Sequence, residues 1–247
     1  MTMKAARFAE PRTLRLAAGL MPRVEAMLGR LSAVGDRPWH ALASFPWVAE
    51  VERWYPAIRG ELEGLLRCGE PMPAFEDISH DQRKLGTDGR WKTFFLLGYG
   101  IRFEENIAHC PATWAAVRQI PGIATAFFSV LEPGRRIPPH RGPYKGVLRY
   151  HLGLIVPEAA GGCAIEVADR RRRWREGASL VFDDTYVHSA WNLSDGVRVV
   201  LFVDFARPLR FPAGLLNRLF LRLIARSGYV QEARANYTKW QGTVKRP

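Results

Sequence analysis

Between residues 123 and 206 the chain breaks into short runs rich in β-branched and aromatic residues: ATAFFSVLEPG, VLRYHLGLIVP, CAIEVAD, ASLVFDD, YVHSAWN and VRVVLFVDF. Turn signals separate them at roughly 8–12-residue intervals, the spacing of a β-sandwich or barrel. HLGLIV and VVLFVDF alternate poorly, as strands buried on both faces do. The expected fold is mainly β with flanking helices: an antiparallel jelly roll with helices packed outside it.

Helical patterns flank this region. Residues 22–34 keep a 3-to-4 apolar spacing with Pro22 suited to a first helical position. The stretch 47–67 reads as helix with a break or restart at Pro56, and Glu104 to Gln119 as one helix interrupted near Pro111. Residues 68–92 read as a long loop over the core, able to wall a site. Three parts are expected: a helical segment 1–70 packing on the core, the barrel 71–208, and a basic amphipathic tail 209–247. The three cysteines, Cys68, Cys110 and Cys163, are odd in number and far apart. They suggest a reducing compartment and neither a zinc nor a disulfide pattern. With no apolar run long enough for a signal peptide or a span, the expected location is the cytoplasm, or a peripheral position on the inner membrane.

Charge separates the parts further. Residues 1–37 hold 7 basic and 3 acidic residues, 38–204 hold 20 of each, and 205–247 hold 9 basic and 1 acidic. Such a tail seeks polyanions. Within 214–226 (GLLNRLFLRLIAR), Arg218, Arg222 and Arg226 form one stripe, and Leu215, Leu216, Leu219, Phe220, Leu223 and Ile224 fill the remainder. That pattern suits an anchor on an anionic membrane surface; it also suits a helix docked on the barrel with its arginines in water. Aromatics do not interleave with the basic tail, so nucleic acid is not an expected partner.

The six histidines stand at 40, 80, 109, 140, 151 and 188. His140 lies in IPPHRGPYKG, a loop leading into a strand, and His188 ends FDDTYVH, 48 residues later. In a jelly roll two such strand ends can face each other across the barrel mouth and bind a borderline divalent metal such as ferrous iron. Each histidine taken singly is equally compatible with a structural role.

The stretches SVLEPGRRIPPHRGPYKGVLRYHLGLIVP, WREGASLVFDDTYVHSAWN and VRVVLFVDFARPL resemble the aspartyl/asparaginyl β-hydroxylase family in order and spacing. FPWVAEVE, FEDISHDQ, WKTFFLLGYG, EENIAHCP and LNRLFLRLI resemble the branch that hydroxylates lipid A acyl chains, so the likeness runs over about residues 45 to 240. The resemblance implies a double-stranded β-helix core, the cupin-like form of the jelly roll, and a dioxygenase using Fe(II), 2-oxoglutarate and O2. It makes His140 and His188 the iron ligands. It places the far carboxylate of 2-oxoglutarate at Arg198 and Ser129, and the carboxylate near the metal at Arg149 and His151. In the wider superfamily a carboxylate stands two residues after the first histidine; here that position is Gly142. Asp183 and Asp184 can orient a metal ligand or cap a turn. Trp91, Arg141 and Lys145 are candidates to support the site or hold a substrate carboxylate. The implied reaction is hydroxylation of an unactivated C–H bond, at C2 of a fatty acyl chain on lipid A or ornithine lipid. The alternatives are an aspartyl or asparaginyl residue in a peptide, a free or carrier-bound amino acid, or a small molecule.

Overall fold

The computed structural model describes residues 12–79, 85–158 and 162–244. His80 and the end of FEDISHDQ lie outside them. Eleven strands form two sheets among these residues: β1 (Trp39–His40), β2 (Trp91–Gly98), β3 (Ile101–Arg102), β4 (Ile123–Leu131), β5 (Arg136–His140), β6 (Val147–Ile155), β7 (Cys163–Val167), β8 (Arg170–Arg172), β9 (Ser179–Phe182), β10 (His188–Asn192) and β11 (Arg198–Ala206). The larger sheet runs β1-β9-β6-β11-β4-β2-β3 and the smaller β5-β10-β7-β8. Strand pairs are antiparallel throughout. From β4 onward the chain winds between the sheets: β4, β6, β9 and β11 join the larger one, and β5, β7, β8 and β10 the smaller. This is the jelly roll expected from the strand spacing, in the double-stranded β-helix form that the resemblance implies.

The poor alternation in β4, β6 and β11 has a direct cause. One set of alternate residues, including Phe128, Tyr150, Leu152, Val199, Leu201 and Val203, forms an outer core. Two helices, α2 (Trp47–Arg53) and α3 (Tyr55–Arg67), contribute Val48, Val51, Ile58 and Leu62 to that core. The other set, with Phe127, Leu131, Val200 and Phe202, meets Ile165 and Val167 of the smaller sheet inside the barrel. Both faces are therefore dry, and the rule of one polar face does not apply. Fully burying a side chain of this size contributes about 1.5–3 kcal/mol.

Several elements differ from expectation. The first helix, α1 (Arg12–Leu31), carries Pro22 in its interior rather than at its start. The strands β1, β2 and β3 extend the larger sheet beyond the expected strand region. The 68–92 segment is not loop throughout: it holds a single-turn helix, α4 (Phe75–Ile78), pairs Ala74 with Lys92 and ends in β2. The expected interruption near Pro111 separates α5 (Glu104–His109) from α6 (Pro111–Val117). The tail forms two helices, α7 (Ala213–Ile224) and α8 (Gly228–Val244).

A buried ion network ties the stretch before β1 to the barrel. The Arg207 guanidinium is fully enclosed and donates to the Lys145 carbonyl (2.6 Å), the Gly35 carbonyl (3.4 Å) and the Asp183 carboxylate. Lys145 Nζ sits 2.7 Å from Asp36 and 3.3 Å from Asp183. Burial alone would raise the pKa of Asp183, but Arg207, the Thr185 hydroxyl and Lys145 hold it below the usual carboxylate value. A depressed pKa contributes stability that is present above the unfolded value of about 3.9 and is lost as pH falls below it. Replacing Arg207 by Met should therefore cost about 3–5 kcal/mol, because it takes the main counter-charge from a buried carboxylate and leaves it only Lys145 and the Thr185 donors. Asp183→Asn should destabilise the protein at neutral pH and remove part of the loss seen in wild type below about pH 4. Denaturant unfolding at both pH values measures each effect.

Candidate active site

The site is built on the inner face of the larger sheet and on the pairing of β5 with β10. In that pair His140 and His188 are direct register partners, with an irregularity just after His188. Their ring centroids are 4.0 Å apart. The two Nδ1 atoms lie 2.9 Å from backbone carbonyls, Pro138 for His140 and Tyr186 for His188. A carbonyl only accepts, so each Nδ1 carries the proton and each Nε2 keeps its lone pair. His188 Nε2 is buried and has no hydrogen-bond partner. Burial, then His140 and Arg149, pushes the pKa of His188 down to about 3, and burial lowers that of His140 as well. Two neutral imidazoles held by carbonyls at Nδ1 and open at Nε2 are suited to bind a divalent cation. Among the described residues no group of three or more His, Cys, Asp and Glu is arranged to hold a metal.

Gly142 explains why no carboxylate follows two residues after His140. A Cβ at this position would lie 2.0 Å from Asp184 Oδ2, so the volume is already taken by another residue's carboxylate. The Gly142 amide donates to the Asp184 carbonyl (2.7 Å). Asp184 Oδ2 is 2.9 Å from Arg149 Nη2, and Arg149 also donates to both oxygens of Asp204 (2.8 and 3.2 Å) while lying over the Phe202 ring. Burial works against the charge on Arg149, but Asp204 and Asp184 outweigh it and raise its pKa. Asp184 is pushed up to about 6 by burial, with Arg149 opposing. The neighbouring Asp183 faces away from this group: it caps the turn through the Thr185 amide and hydroxyl (3.0 and 2.6 Å) and pairs with Arg207.

Arg198 lies deeper. It is buried, its Nη1 donates to the Ser129 carbonyl (3.2 Å) and approaches Ser129 Oγ (3.5 Å), and its Nε has no partner. Its guanidinium lies over the Trp174 ring, and no carboxylate among the described residues pairs with it. Burial pulls its pKa down to about 10. Trp91 Nε1 donates to Ser129 Oγ (3.0 Å) and Trp174 Nε1 to His151 Nδ1 (3.3 Å). His151 Nε2 is buried without a partner, and burial, with Arg149 and Arg198, keeps the ring neutral. A dry cation, a hydroxyl and a neutral imidazole converge here with hydrogen-bonding capacity unspent.

A cavity of about 820 Å³ opens beside the histidine pair. Phe75, Phe95, Phe103, Phe127 and Phe202 line it with His140, Arg149 and Asp184, and α8 adds Val230, Ala233 and Arg234. Ser129, His151, His188 and Arg198 do not line it. They stand one layer behind, since Trp91, a wall residue, bonds Ser129, and the Phe202 ring is 5.0 Å from His151. Arg141 is at the rim, paired with Glu25 (3.2 Å) and the Thr185 carbonyl. Lys145, considered above as a clamp for a substrate carboxylate, is sealed into the Asp36–Asp183 network and does not line the cavity. The 68–92 segment does wall the site, through Phe75, Ile78, Leu85 and Trp91. Trp174, Asp204 and the phenylalanine cluster were not singled out in the sequence; they come from separate segments and share no motif.

The winding of the strands and the facing histidines define a double-stranded β-helix protein with a two-imidazole centre at one end. The model of the aspartyl/asparaginyl β-hydroxylase family matches residues 52–208, and the chain belongs to that family of hydroxylases. It is 50% identical over 217 residues to the ornithine lipid ester-linked acyl 2-hydroxylase of Rhizobium tropici, covering 88% of this chain and 77% of that one. It is 32% identical over 166 residues to the human aspartyl/asparaginyl beta-hydroxylase, covering 65% of this chain but only 21% of that much longer protein. A looser likeness, TM-score 0.34 at 16% identity, is to the DMSP lyase DddQ of Ruegeria pomeroyi, covering 50% of this chain and 51% of that one. The fold assignment rests on the strand pairing.

The crowding at Gly142 is directly testable. Gly142→Ala forces the Asp184 carboxylate away from Arg149 and should cost about 1–3 kcal/mol, as overpacking of a filled site does. Thermal unfolding of the variant beside wild type measures it.

Proposed function

We propose that the chain is an Fe(II)- and 2-oxoglutarate-dependent dioxygenase that hydroxylates C2 of a fatty acyl chain, the ester-linked chain of an ornithine lipid. Arg198 carries the co-substrate reading: a dry guanidinium with no carboxylate partner calls for an anion from outside the chain. Ser129 adds a hydroxyl beside it. His140 and His188 would hold the iron through their open Nε2 atoms, and His151 with Arg149 would take the second carboxylate. Bound iron with 2-oxoglutarate and O2 supplies the oxidant for an unactivated C–H bond, with succinate and carbon dioxide as co-products. The chain's own groups bind, orient and exclude water. Asp184 and Asp204 fix the Arg149 guanidinium, and the Trp91–Phe127–Phe202 layer keeps the inner groups dry, so the dicarboxylate enters past those rings.

The substrate reading rests on the cavity wall. Its aromatic and aliphatic lining suits methylene groups, and the likeness to the Rhizobium tropici enzyme favours an ornithine lipid over lipid A. A peptide aspartate would need a cationic clamp at the mouth. Of the two cations considered for that role, Lys145 is sequestered between Asp36 and Asp183, and Arg141 stands at the rim in a half-exposed pair with Glu25. No helix among the described residues is long and apolar enough to cross a membrane, so the lipid would be met from a peripheral position on the inner membrane.

Arg198→Lys should raise the apparent KM for 2-oxoglutarate about a hundredfold or more, because a buried charge contact loses its forked geometry; an unchanged KM places the carboxylate elsewhere. His188→Ala should abolish iron retention and succinate formation together. The deciding experiment is mass spectrometry of lipids and proteins from cells with and without the gene. A gain of one oxygen on the ester-linked acyl chain of ornithine lipid supports the proposal, and a gain confined to peptides overturns it.

A further inference from the structure

The tail helix α7 docks on the body by its small face and leaves its large apolar side chains outside. Ala213 and Asn217 are its buried residues. Asn217 donates to the Gly146 carbonyl (2.7 Å) and accepts from the Tyr144 hydroxyl (2.7 Å), and the Tyr144 ring packs at a tilt against Phe220, centroids 4.8 Å apart. Outward stand Leu215 (64% exposed), Leu216, Leu219 (52%) and Leu223, with Phe211 (88%) just before the helix. Beside this leucine stripe run Arg218, Arg222 and Arg226, all exposed, with no acidic residue in 213–226. A helix docked on the barrel by its leucines would bury them; this one does the reverse. A contiguous apolar surface of this kind marks an interaction site.

We propose that this face lies on an anionic bilayer, with Phe211 and the leucines among the acyl chains and the three arginines level with the phosphates. Charge selects this occupant. A row of cations beside an apolar stripe matches anionic head groups over hydrocarbon, whereas a two-fold contact with a second copy would set arginines against arginines. The face is also joined to the cavity. Asn217 and Phe220 hold the 141–146 loop, which begins next to His140, and the helix that follows, α8, lays Val230 and Ala233 into the cavity wall. Docking thus brings the cavity mouth to the leaflet, so an acyl chain passes from bilayer to site without crossing water. This step rests on the substrate being a bilayer lipid; the docking itself does not.

The test is co-flotation of the full chain with phosphatidylcholine vesicles, with and without phosphatidylglycerol. Wild type should float with the anionic vesicles and not with phosphatidylcholine alone. A variant with Leu215→Gln, Leu219→Gln and Leu223→Gln together should lose flotation while keeping its circular dichroism and its succinate production on detergent-dispersed lipid. Vesicle binding should also slow amide exchange in both α7 and residues 141–146; slowing confined to α7 would remove the link to the cavity rim. The surface is overturned if wild type does not float, if the leucine variant floats as well, or if sedimentation shows a wild-type dimer that the leucine changes dissolve. Flotation without hydroxylation of any vesicle lipid would leave the surface standing and remove the acyl substrate.

Discussion

Burial of both faces of β4, β6 and β11 is the constraint from which the site follows. Helices take one set of alternate side chains, so everything on the other set is enclosed by the second sheet. Most of that inner set is apolar, as it must be. Thr125, Ser129, Arg149, His151, Arg198 and Asp204 are the exceptions, and each is costly unless paired. Arg149 and Asp204 solve the problem between themselves. Arg198 Nε and His151 Nε2 do not. The sheet has enclosed polar groups whose partners are not supplied by the described chain, which is how a protein reserves a place for a small charged ligand.

The two adjacent aspartates show how finely the barrel end divides its charges. They stand where β9 ends and the chain enters a turn, and the turn sends the two side chains to opposite sides. Asp183 turns toward Arg207 and Lys145 and holds the stretch before β1 in place, while Asp184 turns toward Arg149 and the cavity. Burial acts on both, yet one pKa falls and the other rises, because Asp183 meets two cations and two Thr185 donors where Asp184 has Arg149 and two neighbouring carboxylates.

The strands from β4 to β11 were legible because short β-rich runs between turn signals admit few architectures. The facing of His140 and His188 was legible because strand ends in that architecture converge. Other features left no local trace. WKTFFLLG is an apolar run that periodicity does not separate from a buried helix, and it became β2 only through pairing with β4. Lys145 looked available beside His140, but its partners, Asp36 and Asp183, come from distant parts of the chain. The aromatic cavity draws on four separate segments and α8, so only the fold assembles it. The tail pattern admitted a membrane anchor or a helix docked on the barrel with its arginines in water, and the face that holds it to the body, Ala213 and Asn217, belongs to neither the leucine nor the arginine stripe.

Gly142 and Asp184 make a single unit despite lying 42 positions apart. One contributes emptiness and the other fills it. Grafting the commoner three-ligand centre onto this barrel by inserting an acid at 142 would therefore set two carboxylates in one volume and strip Arg149 of a counter-charge. A designer would have to shorten 184 in the same stroke and give Arg149 a new anion. The two-imidazole centre is protected from single-step conversion by geometry alone.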